Sequence, residues 1–586
     1  MLGQVISVNK NLVEVSLSGD LKGINNLINH HVVLEEDNMK VVGEIRDISV
    51  NKLMVILLGE IVNNHFISGV IKRPSISSVC RLVRQEELNL ILGYEDTSSK
   101  NVYIGSMPLY DNAQIHIKVN DFLAHHFAVF GNTGSGKSCS VARIFQNIFY
   151  NRAAVPENAH IFIFDVYGEY HNAFSHINQT SPALNFKTYT TKTEFPDTEI
   201  IKIPLWLLGV DDIALLLGAN NHTQIPIIEK ALRLVSIFAR DEDNIILYKN
   251  DIIARALMDI LYSGNPAGQI RDQLLAILST FNTKDLNLET KLVQPGYIRT
   301  LRQCFVIDRD GKLHEMQLLA EFFSKFFKDG LTLKLPDGSY PYTLNHLKDA
   351  LDFALISEGV LKSTKVYDDF NSLKVRLLSL INSNYREYFQ DNEYISKERF
   401  VNNIVTTYDG KKAQIINFNI NYVDDRFAKV ITKIYSKLLF DYGTSMENRG
   451  NFPMHIILEE AHRYVQNDND INLLGYNIFD RITKEGRKYG IILGLISQRP
   501  SELSETSLSQ CSNFFIFKMV HPKDTEYIRN MVPGITDEIV EKLKTLQPGN
   551  CVAFGSAFKI PVIIYFDMPN PKPFSSSADI SKVWFN

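Results

Sequence analysis

Residues 131–138 read Gly-Asn-Thr-Gly-Ser-Gly-Lys-Ser, which fits the phosphate-loop pattern G-x-x-x-x-G-K-[ST]. The residues before this loop, 125–130, predict a buried strand, and residues 141–149 predict a helix. In that order, the loop's backbone N–H groups and the helix N-terminus can bind a phosphate together. The sequence therefore predicts an α/β nucleotide-binding core built around this loop.

The residue types in the loop predict ATP and Mg²⁺ as cofactors. Lys137 is placed to contact the β- and γ-phosphates, and the Ser138 hydroxyl is placed to hold Mg²⁺. The predicted nucleotide-binding residues are Gly131, Asn132, Thr133, Gly134, Ser135, Gly136, Lys137, Ser138 and Cys139.

The bulk composition predicts a cytoplasmic protein without a membrane segment. No apolar run approaches the ~18 residues that span a bilayer, and the N-terminus lacks the pattern of a signal peptide. The five cysteines are scattered, which argues against a disulfide framework and a zinc site. The net charge is −5, so any DNA-binding surface must concentrate its positive charge locally.

The chain of 586 residues is too long for one core, and its patterns change along its length. Residues 1–105 predict an N-terminal β-barrel, and residues 106–204 the first part of the nucleotide core. Residues 205–405 have helical periodicity and predict an inserted helical bundle. Residues 406–565 alternate strands with helices, which predicts a mainly parallel sheet covered on both faces. Residues 566–586 are rich in proline and serine and predict a tail that lies across a neighbouring subunit.

Two acids follow a predicted buried strand in Met454-His455-Ile456-Ile457-Leu458-Glu459-Glu460. Ligands bind at the carboxyl ends of strands in such sheets. Glu459 is predicted to support Mg²⁺, and Glu460 is predicted to orient the attacking water. The alternative is that both are simply acids at a strand end.

Other strand ends carry further polar side chains. Asp165 and Glu169 flank Gly168, where they add to the metal or water shell or, alternatively, cap a turn. Gln498 ends another predicted strand and either contacts the γ-phosphate or attacking water, or caps a loop.

A cation in the segment Lys484-Glu485-Gly486-Arg487-Lys488-Tyr489 is a candidate for stabilising the transferring phosphoryl group. Arg487 is the first candidate and Arg481 the reserve. Such an arginine is expected to act on a neighbouring subunit's nucleotide, which requires an oligomer. The alternative is a solvated basic turn. His462 has no partner histidine at ligand spacing and is predicted to be structural.

Together these segments resemble the HerA family of hexameric DNA translocases, relatives of the FtsK-type pumps. The resemblance covers nearly the whole chain, and its motifs are HHFAVFGNTGSGKS, FDVYGEY, HIILEEAHRYV, ITKEGRKYGIILGLISQRPSEL, FFIFKMVHPKD and LQPGNCVAFG. It implies a RecA-like core, an N-terminal barrel like the family's HAS barrel, and a homo-hexameric ring around double-stranded DNA.

The resemblance also implies roles and partners. If the family's roles apply at the matching positions, Lys137 and Ser138 bind phosphate and Mg²⁺. Glu459 then supports the metal together with Asp165, and Glu460 is catalytic. Arg487 acts in trans. A separate effector is expected, either a nuclease or a sirtuin-like NAD-hydrolysing protein. The composition suits a bacterial gene, which favours anti-phage defence over DNA end processing.

Two alternatives remain beside an ATP-driven translocase. The first is a ring scaffold that uses ATP to assemble and activate an effector without translocation. The second is a conjugation-type coupling pump, which the absence of an apolar span makes the weakest of the three.

Overall fold

The computed structural model describes most of the chain and divides it into two compact units. The described residues are 1–18, 27–36, 39–93, 101–150, 155–192, 198–240, 242–328, 340–357, 364–390, 393–532, 535, 537–574 and 580–584. The first unit comprises residues 1–199, 401–468 and 477–586, and the second comprises residues 200–400 and 469–476.

The described residues form strands and helices along the whole chain. The strands are β1 Gly3–Asn9, β2 Leu12–Leu17, β3 His31–Glu36, β4 Met39–Ser49, β5 Lys52–Val62, β6 His65–Ser68, β7 Val79–Leu82, β8 Asn101–Met107, β9 Ala113–Lys118, β10 Phe127–Phe130, β11 Ile161–Asp165, β12 Phe186–Thr190, β13 Thr198–Ile200, β14 Lys291–Gln294, β15 Tyr297–Thr300, β16 Ile415–Asn419, β17 Met454–Leu458, β18 Ile491–Ser497, β19 Asn513–Phe517, β20 Asn550–Gly555 and β21 Val562–Tyr565. The α-helices are α1 Gln85–Leu92, α2 Val119–Leu123, α3 Lys137–Phe149, α4 Tyr170–Phe174, α5 Ile177–Thr180, α6 Val210–Leu216, α7 Gln224–Phe238, α8 Asp243–Leu261, α9 Ala267–Thr280, α10 Met316–Ser324, α11 Leu344–Ser357, α12 Thr364–Asn382, α13 Lys397–Ile404, α14 Asp425–Ser445, α15 Asp470–Leu474, α16 Ile478–Glu485, α17 Glu505–Ser509, α18 Pro522–Met531, α19 Asp537–Thr545 and α20 Ile580–Trp584. None of the helices in the described ranges is both long and apolar enough to cross a bilayer.

The N-terminal strands close into a small antiparallel barrel, as predicted. Neighbouring strands follow the order β2-β1-β7-β3-β4-β5, and β2 also pairs with β5, which closes the ring. Buried and more exposed residues alternate along β5, as expected for a strand with one face on a core. The interior is filled by aliphatic side chains such as Val13, Val32, Leu34 and Leu53. Closure leaves these six strands without an open edge.

The nucleotide core is a 12-stranded sheet whose central part is parallel. The order is β13-β12-β16-β11-β17-β18-β10-β19-β20-β21-β8-β9, and the pairings from β12 to β19 are parallel. Every residue of β10, β11, β16, β17 and β18 is buried. Both faces of such strands are covered, which explains their nearly continuous apolar sequences. The predicted mainly parallel α/β core is confirmed, and its carboxyl strand ends share one edge.

One boundary of this core differs from the sequence prediction. β8 pairs with β9 and with β21 at the antiparallel side of the core sheet. Residues 101–105 therefore belong to the core sheet, although we placed them in the barrel. Alternating strand sequences look alike in both sheets, so only the long-range pairing separates them.

The second unit is mainly helical and contains α6–α12 and the hairpin β14–β15. Three aromatic rings pack together in it: Phe238 of α7, Phe281 after α9 and Phe353 of α11, with centroids 4.8–5.1 Å apart. This unit runs from residue 200 to 400 and also includes residues 469–476. The predicted insertion, 205–405, lacked that later segment.

Residues 567–574, which we call the tail strap, pack on the first unit of their own chain. The side chain of Gln146 on α3 accepts a hydrogen bond from the N–H of Asn570 at 2.9 Å and donates one to the carbonyl of Pro571 at 2.9 Å. The Asn172 amide donates to the carbonyl of Lys572, and the N–H of Phe574 donates to the carbonyl of Glu169 at 2.8 Å. We had predicted that the tail crosses a neighbouring subunit, but this part of it lies on its own core.

Candidate active site

The glycine-rich loop joins β10 to α3 at the carboxyl edge of the core sheet. Gly136 caps α3 with φ +107°, and Gly131 has φ +155°. A Cβ atom on Gly131 would lie 2.6 Å from Cβ of Phe517 on the neighbouring strand. Since β19 is hydrogen-bonded on both sides, this contact cannot relax easily, and the loop shape requires glycine at position 131.

Lys137 and Ser138 begin α3 with their side chains in the loop. The Lys137 ammonium donates hydrogen bonds to the carbonyls of Gly131 at 2.8 Å and Asn132 at 3.0 Å. Burial lowers the pKa of Lys137, and the nearby Glu460 and Glu459 oppose that shift. The Ser138 hydroxyl donates to Oε1 of Glu459 at 3.1 Å. The structure thus brings together the phosphate loop and the acid after β17, as the sequence predicts.

The other loop residues differ in exposure. Thr133 and Gly134 are exposed, Asn132 and Cys139 are half-buried, and Ser135 is buried. Burial raises the pKa of the Cys139 thiol, so this group is neutral at ordinary pH.

Asp165 lies fully buried behind the loop, with its oxygens already bonded. Oδ1 accepts the N–H of Glu169 at 3.0 Å, and Oδ2 accepts the N–H of Tyr170 at 2.9 Å and the amide of Asn417 at 3.3 Å. The charge of Asp165 also raises the pKa of the neighbouring Glu459 carboxyl. These contacts favour the capping alternative for Asp165, and its part in the metal shell stays a prediction.

Glu459 is the most enclosed acid of the group. Burial, followed by the charges of Asp165 and Glu169, raises its pKa well above the usual value. Burial also raises the pKa of Glu169, and the nearby Ser138 hydroxyl opposes that shift. Carboxylates held this close in a dry site repel one another, so the site favours a compensating cation.

Glu460 follows with a left-handed backbone, φ +48°, which is unusual for a residue other than glycine. Its carboxylate accepts a hydrogen bond from the backbone N–H of Gln498, and burial raises its pKa. Its Oε2 lies 3.3 Å from Nδ1 of His462. The turn at Glu460 therefore directs this acid toward the end of β18.

Gln498 touches the phosphate loop, and its predicted contact with the γ-phosphate or attacking water stays a prediction. Its side-chain oxygen accepts a hydrogen bond from the Thr133 hydroxyl at 2.6 Å. The loop is also held by β18 itself, because the N–H of Gly131 donates to the carbonyl of Ser497 at 3.3 Å.

Arg487 and Arg481 lie at the opposite edge of the sheet. Arg487 sits in the turn before β18. Burial lowers the pKa values of His125 and His126, and the charge of Arg487 lowers them further. The guanidinium of Arg481 lies 5.1 Å from the ring centroid of Phe440. The seven residues of β18 span roughly 23 Å, so Arg487 does not reach the phosphate loop of its own chain. Its proposed action in trans stays a prediction.

Sequence reasoning missed two polar residues that bind this acidic group. Asn417 is an amide flanked by Ile415, Ile416 and Phe418 in a fully buried strand, and that interruption was a usable signal. His462 follows the two acids in sequence, but its contact with Ser497 on β18 joins residues 35 positions apart. Nothing in local spacing predicts that contact.

Comparison with known proteins agrees with this geometry. Residues 102–325 match the family profile of the helicase HerA central domain. Over these residues the chain is similar to the HerA family. It is a P-loop ATPase, and its phosphate loop and the Glu459–Glu460 pair meet at the carboxyl edge of the core sheet.

Several proteins similar to this chain are named as HerA helicases. The DNA double-strand break repair helicase HerA of Sulfolobus acidocaldarius is 24% identical over 567 residues, which cover 94% of this chain and 86% of that protein. The protein of the same name from Pyrococcus furiosus is 22% identical over 466 residues, covering 79% and 69%.

Solved structures show weaker likeness. VirB4 of Thermoanaerobacter pseudethanolicus has a TM-score of 0.40 at 11% identity, covering 80% of this chain and 97% of that one. Plasmid coupling protein TrwB in complex with ADP and Mg²⁺ has a TM-score of 0.44 at 9% identity, covering 82% and 92%.

Proposed function

We propose that this chain couples ATP hydrolysis to movement along double-stranded DNA. The single observation that carries the chemistry is the hydrogen bond from Ser138 of the phosphate loop to Glu459, with Glu460 turned toward the end of β18. Support for DNA as the track comes from the relatives, which are named as DNA double-strand break repair helicases.

The residues at the loop fit a bound Mg²⁺ ion. In the described part of the chain, no three His, Cys, Asp or Glu side chains are grouped as a metal site. Mg²⁺ at a phosphate loop, however, takes most ligands from the nucleotide, water and one hydroxyl. Oε2 of Glu459 is buried and has no hydrogen-bond partner among the described residues. Ser138 and Glu459 would hold the ion, which supplies positive charge to the phosphates.

The remaining roles follow from position. Lys137, now bonded to loop carbonyls, would bind the β- and γ-phosphates, since an ammonium exchanges those neutral acceptors for charged ones at a gain. Glu460 would orient the attacking water and accept its proton. Gln498, bonded to Thr133, would report the state of the γ-phosphate to β18.

We propose a homo-hexameric ring in which Arg487 of one subunit completes the site of the next. Arg487 lies at the amino edge of the sheet, whereas the phosphate loop lies at the carboxyl edge. Stacking subunits around a ring brings opposite edges of neighbouring sheets together, and a cation supplied there stabilises phosphoryl transfer by about 10³- to 10⁵-fold in other systems.

Mixing two inactive variants tests the shared site. Lys137→Ala disables the phosphate loop but keeps Arg487. Arg487→Ala removes the arginine but keeps an intact phosphate loop. If the site is shared, a mixed ring contains interfaces with an intact loop and an intact arginine, so activity returns on mixing. Mixing Lys137→Ala with Arg481→Ala serves as the matched control, and Arg481→Ala alone should remain active. No recovery with Arg487→Ala rules out its action in trans.

The function itself is tested by steady-state ATP hydrolysis with and without linear double-stranded DNA. We expect stimulation by DNA, and loss of turnover in Glu460→Gln by about 10²- to 10⁴-fold, the usual contribution of a positioned base. Unstimulated hydrolysis, together with effector activation that survives Glu460→Gln, would instead identify an ATP-regulated scaffold.

We further propose a separate effector, a nuclease or a sirtuin-like NAD-hydrolysing protein, in anti-phage defence or DNA end processing. The support is the sequence resemblance described above. The purified chain should consume neither linear DNA nor NAD⁺ alone, and should do so only with that partner. Cleavage of either substrate by the chain alone contradicts this part of the proposal.

A further inference from the structure

His462 lies buried between the catalytic acid and the end of β18. Its Nδ1 is 3.1 Å from the hydroxyl of Ser497 and 3.3 Å from Oε2 of Glu460. The two contacts are not equal, since only the one with Ser497 has hydrogen-bond geometry, and Oε2 of Glu460 has no hydrogen-bond partner among the described residues. Nδ1 of His462 is therefore within reach of both the Ser497 hydroxyl and the Glu460 carboxylate.

Ser497 is the point where this histidine meets the phosphate loop. Its carbonyl accepts the N–H of Gly131 at 3.3 Å, and its hydroxyl accepts the N–H of Arg499 at 3.0 Å. The next residue, Gln498, bonds Thr133 through its side chain and Glu460 through its backbone. His462 therefore links the acid to the strand end that contacts both sides of the loop.

The environment of His462 suits a hydrogen-bonding role. Burial lowers its pKa, and the guanidinium groups of Arg499 and Arg463 add to that effect, while Glu502 and Asp524 oppose it. A neutral imidazole offers one donor nitrogen and one acceptor nitrogen. Because the backbone of Glu460 is left-handed, its carboxylate leaves the strand at an unusual angle and depends on such contacts for its direction.

We propose that His462 is a positioning residue that orients the Glu460 carboxylate through Nδ1 and couples it to the Ser497–Gln498 end of β18. This inference rests on the proposed function, in which Glu460 orients the attacking water. Because Ser497 and Gln498 are adjacent, a change at the phosphate loop that moves Gln498 also moves Ser497. His462, which contacts Ser497, then transmits this movement to the Glu460 carboxylate.

Three replacements of His462 separate positioning from packing. Alanine removes the ring, asparagine keeps a nitrogen near the place of Nδ1, and glutamine keeps one near the place of Nε2. We expect His462→Ala to lower kcat for ATP by about 10- to 100-fold with KM for ATP within about twofold, as for other displaced catalytic groups. We expect His462→Asn to recover most of this loss and His462→Gln to recover little.

The matched control is His455→Asn. His455 is also buried and bonds the carbonyl of Leu123 at 2.8 Å, but it lies at the start of β17, away from the acids. Its replacement should lower the unfolding temperature while leaving kcat within about twofold. A comparable loss of kcat in this control would mean that any buried histidine has the same effect, which overturns the proposal.

A double variant decides whether the two residues act together. If His462 acts through Glu460, Glu460→Gln with His462→Ala turns over no more slowly than Glu460→Gln alone. Additive losses overturn the inference, and so does equal recovery by asparagine and glutamine. If Glu460→Gln itself turns over normally, the proposed role of Glu460 fails. If His462→Ala turns over normally while Glu460→Gln does not, the inference about His462 fails and the proposed role of Glu460 stands.

Discussion

Replacing Gln146 with alanine should loosen the tail strap without touching the residues of the active site. Gln146 is fully buried on α3 and holds the strap through two hydrogen bonds, one with the N–H of Asn570 and one with the carbonyl of Pro571, each 2.9 Å long. Gln146 makes a third bond, to the carbonyl of Ala173 at 3.2 Å, which lies within the core and does not involve the strap. Alanine also favours the helix, so α3 itself is not weakened.

The size of the effect follows from the two lost bonds. Each is worth about 1 kcal/mol net, because the strap groups that they release can bond water instead. The opening of the strap therefore becomes easier by about 2 kcal/mol, which raises its open population roughly 30-fold. The full penalty of a buried unpaired group does not apply, since Asn570 is exposed.

Hydrogen exchange at Phe574 measures this opening. The N–H of Phe574 donates to the carbonyl of Glu169 at 2.8 Å and has no contact with Gln146, so its exchange reports the strap rather than the mutated bond. We expect its exchange rate to rise about 30-fold in Gln146→Ala.

The matched control is Asn172→Ala, which removes one exposed bond to the carbonyl of Lys572 at 2.7 Å. This change should raise the same rate by at most about fivefold, since an exposed bond contributes no more than about 1 kcal/mol. Unchanged exchange at Phe574 in Gln146→Ala would falsify the idea that Gln146 holds the strap. Equal effects in the two variants would show that burial of the bond is irrelevant.

Three further predictions concern the loop, the acids and the barrel. Gly131→Ala should weaken nucleotide binding more than tenfold, measured by titration with a fluorescent nucleotide, because the added Cβ meets Cβ of Phe517 at 2.6 Å. Asp165→Asn should lower the unfolding temperature, with a cost of about 1–3 kcal/mol, because an amide leaves one of the buried N–H groups that Asp165 binds without its acceptor. Burial alone would raise the pKa of Glu87, but hydrogen bonds from Arg81 lower it to about 2. Because the folded pKa is depressed, this stability is present above the ordinary Glu pKa of about 4.3 and is lost as pH falls toward 2, so Glu87→Gln should flatten the acid limb of the unfolding curve.

The core and the contact between Glu459 and the phosphate loop could be predicted because local patterns determine them. Fully buried, mostly apolar strands such as Ile161–Asp165 and Met454–Leu458 are typical of a parallel sheet covered on both faces. Their carboxyl ends then share an edge, which brings Glu459 to Ser138 although 321 residues separate them. That inference needs only strand direction and no knowledge of side-chain geometry.

The parts that could not be predicted depend on contacts between distant segments. Residues 101–105 alternate like the barrel strands but pair with β21, and residues 469–476 join a unit that ends 69 positions earlier, at residue 400. The capping role of Asp165 depends on which N–H groups face it, and the role of His462 depends on Ser497. The spacing of residues along the chain does not determine these long-range contacts.

The left-handed backbone of Glu460 also limits which substitutions at this position are compatible with a folded protein. One base change in a glutamate codon gives Lys, Gln, Gly, Ala, Val or Asp. At φ +48°, glycine is unstrained and aspartate is tolerated, whereas a β-branched valine is strongly disfavoured. A genetic screen for chains that still assemble but no longer turn over should therefore recover glycine and aspartate at this codon beside the isosteric glutamine, and valine should appear among alleles that fail to accumulate.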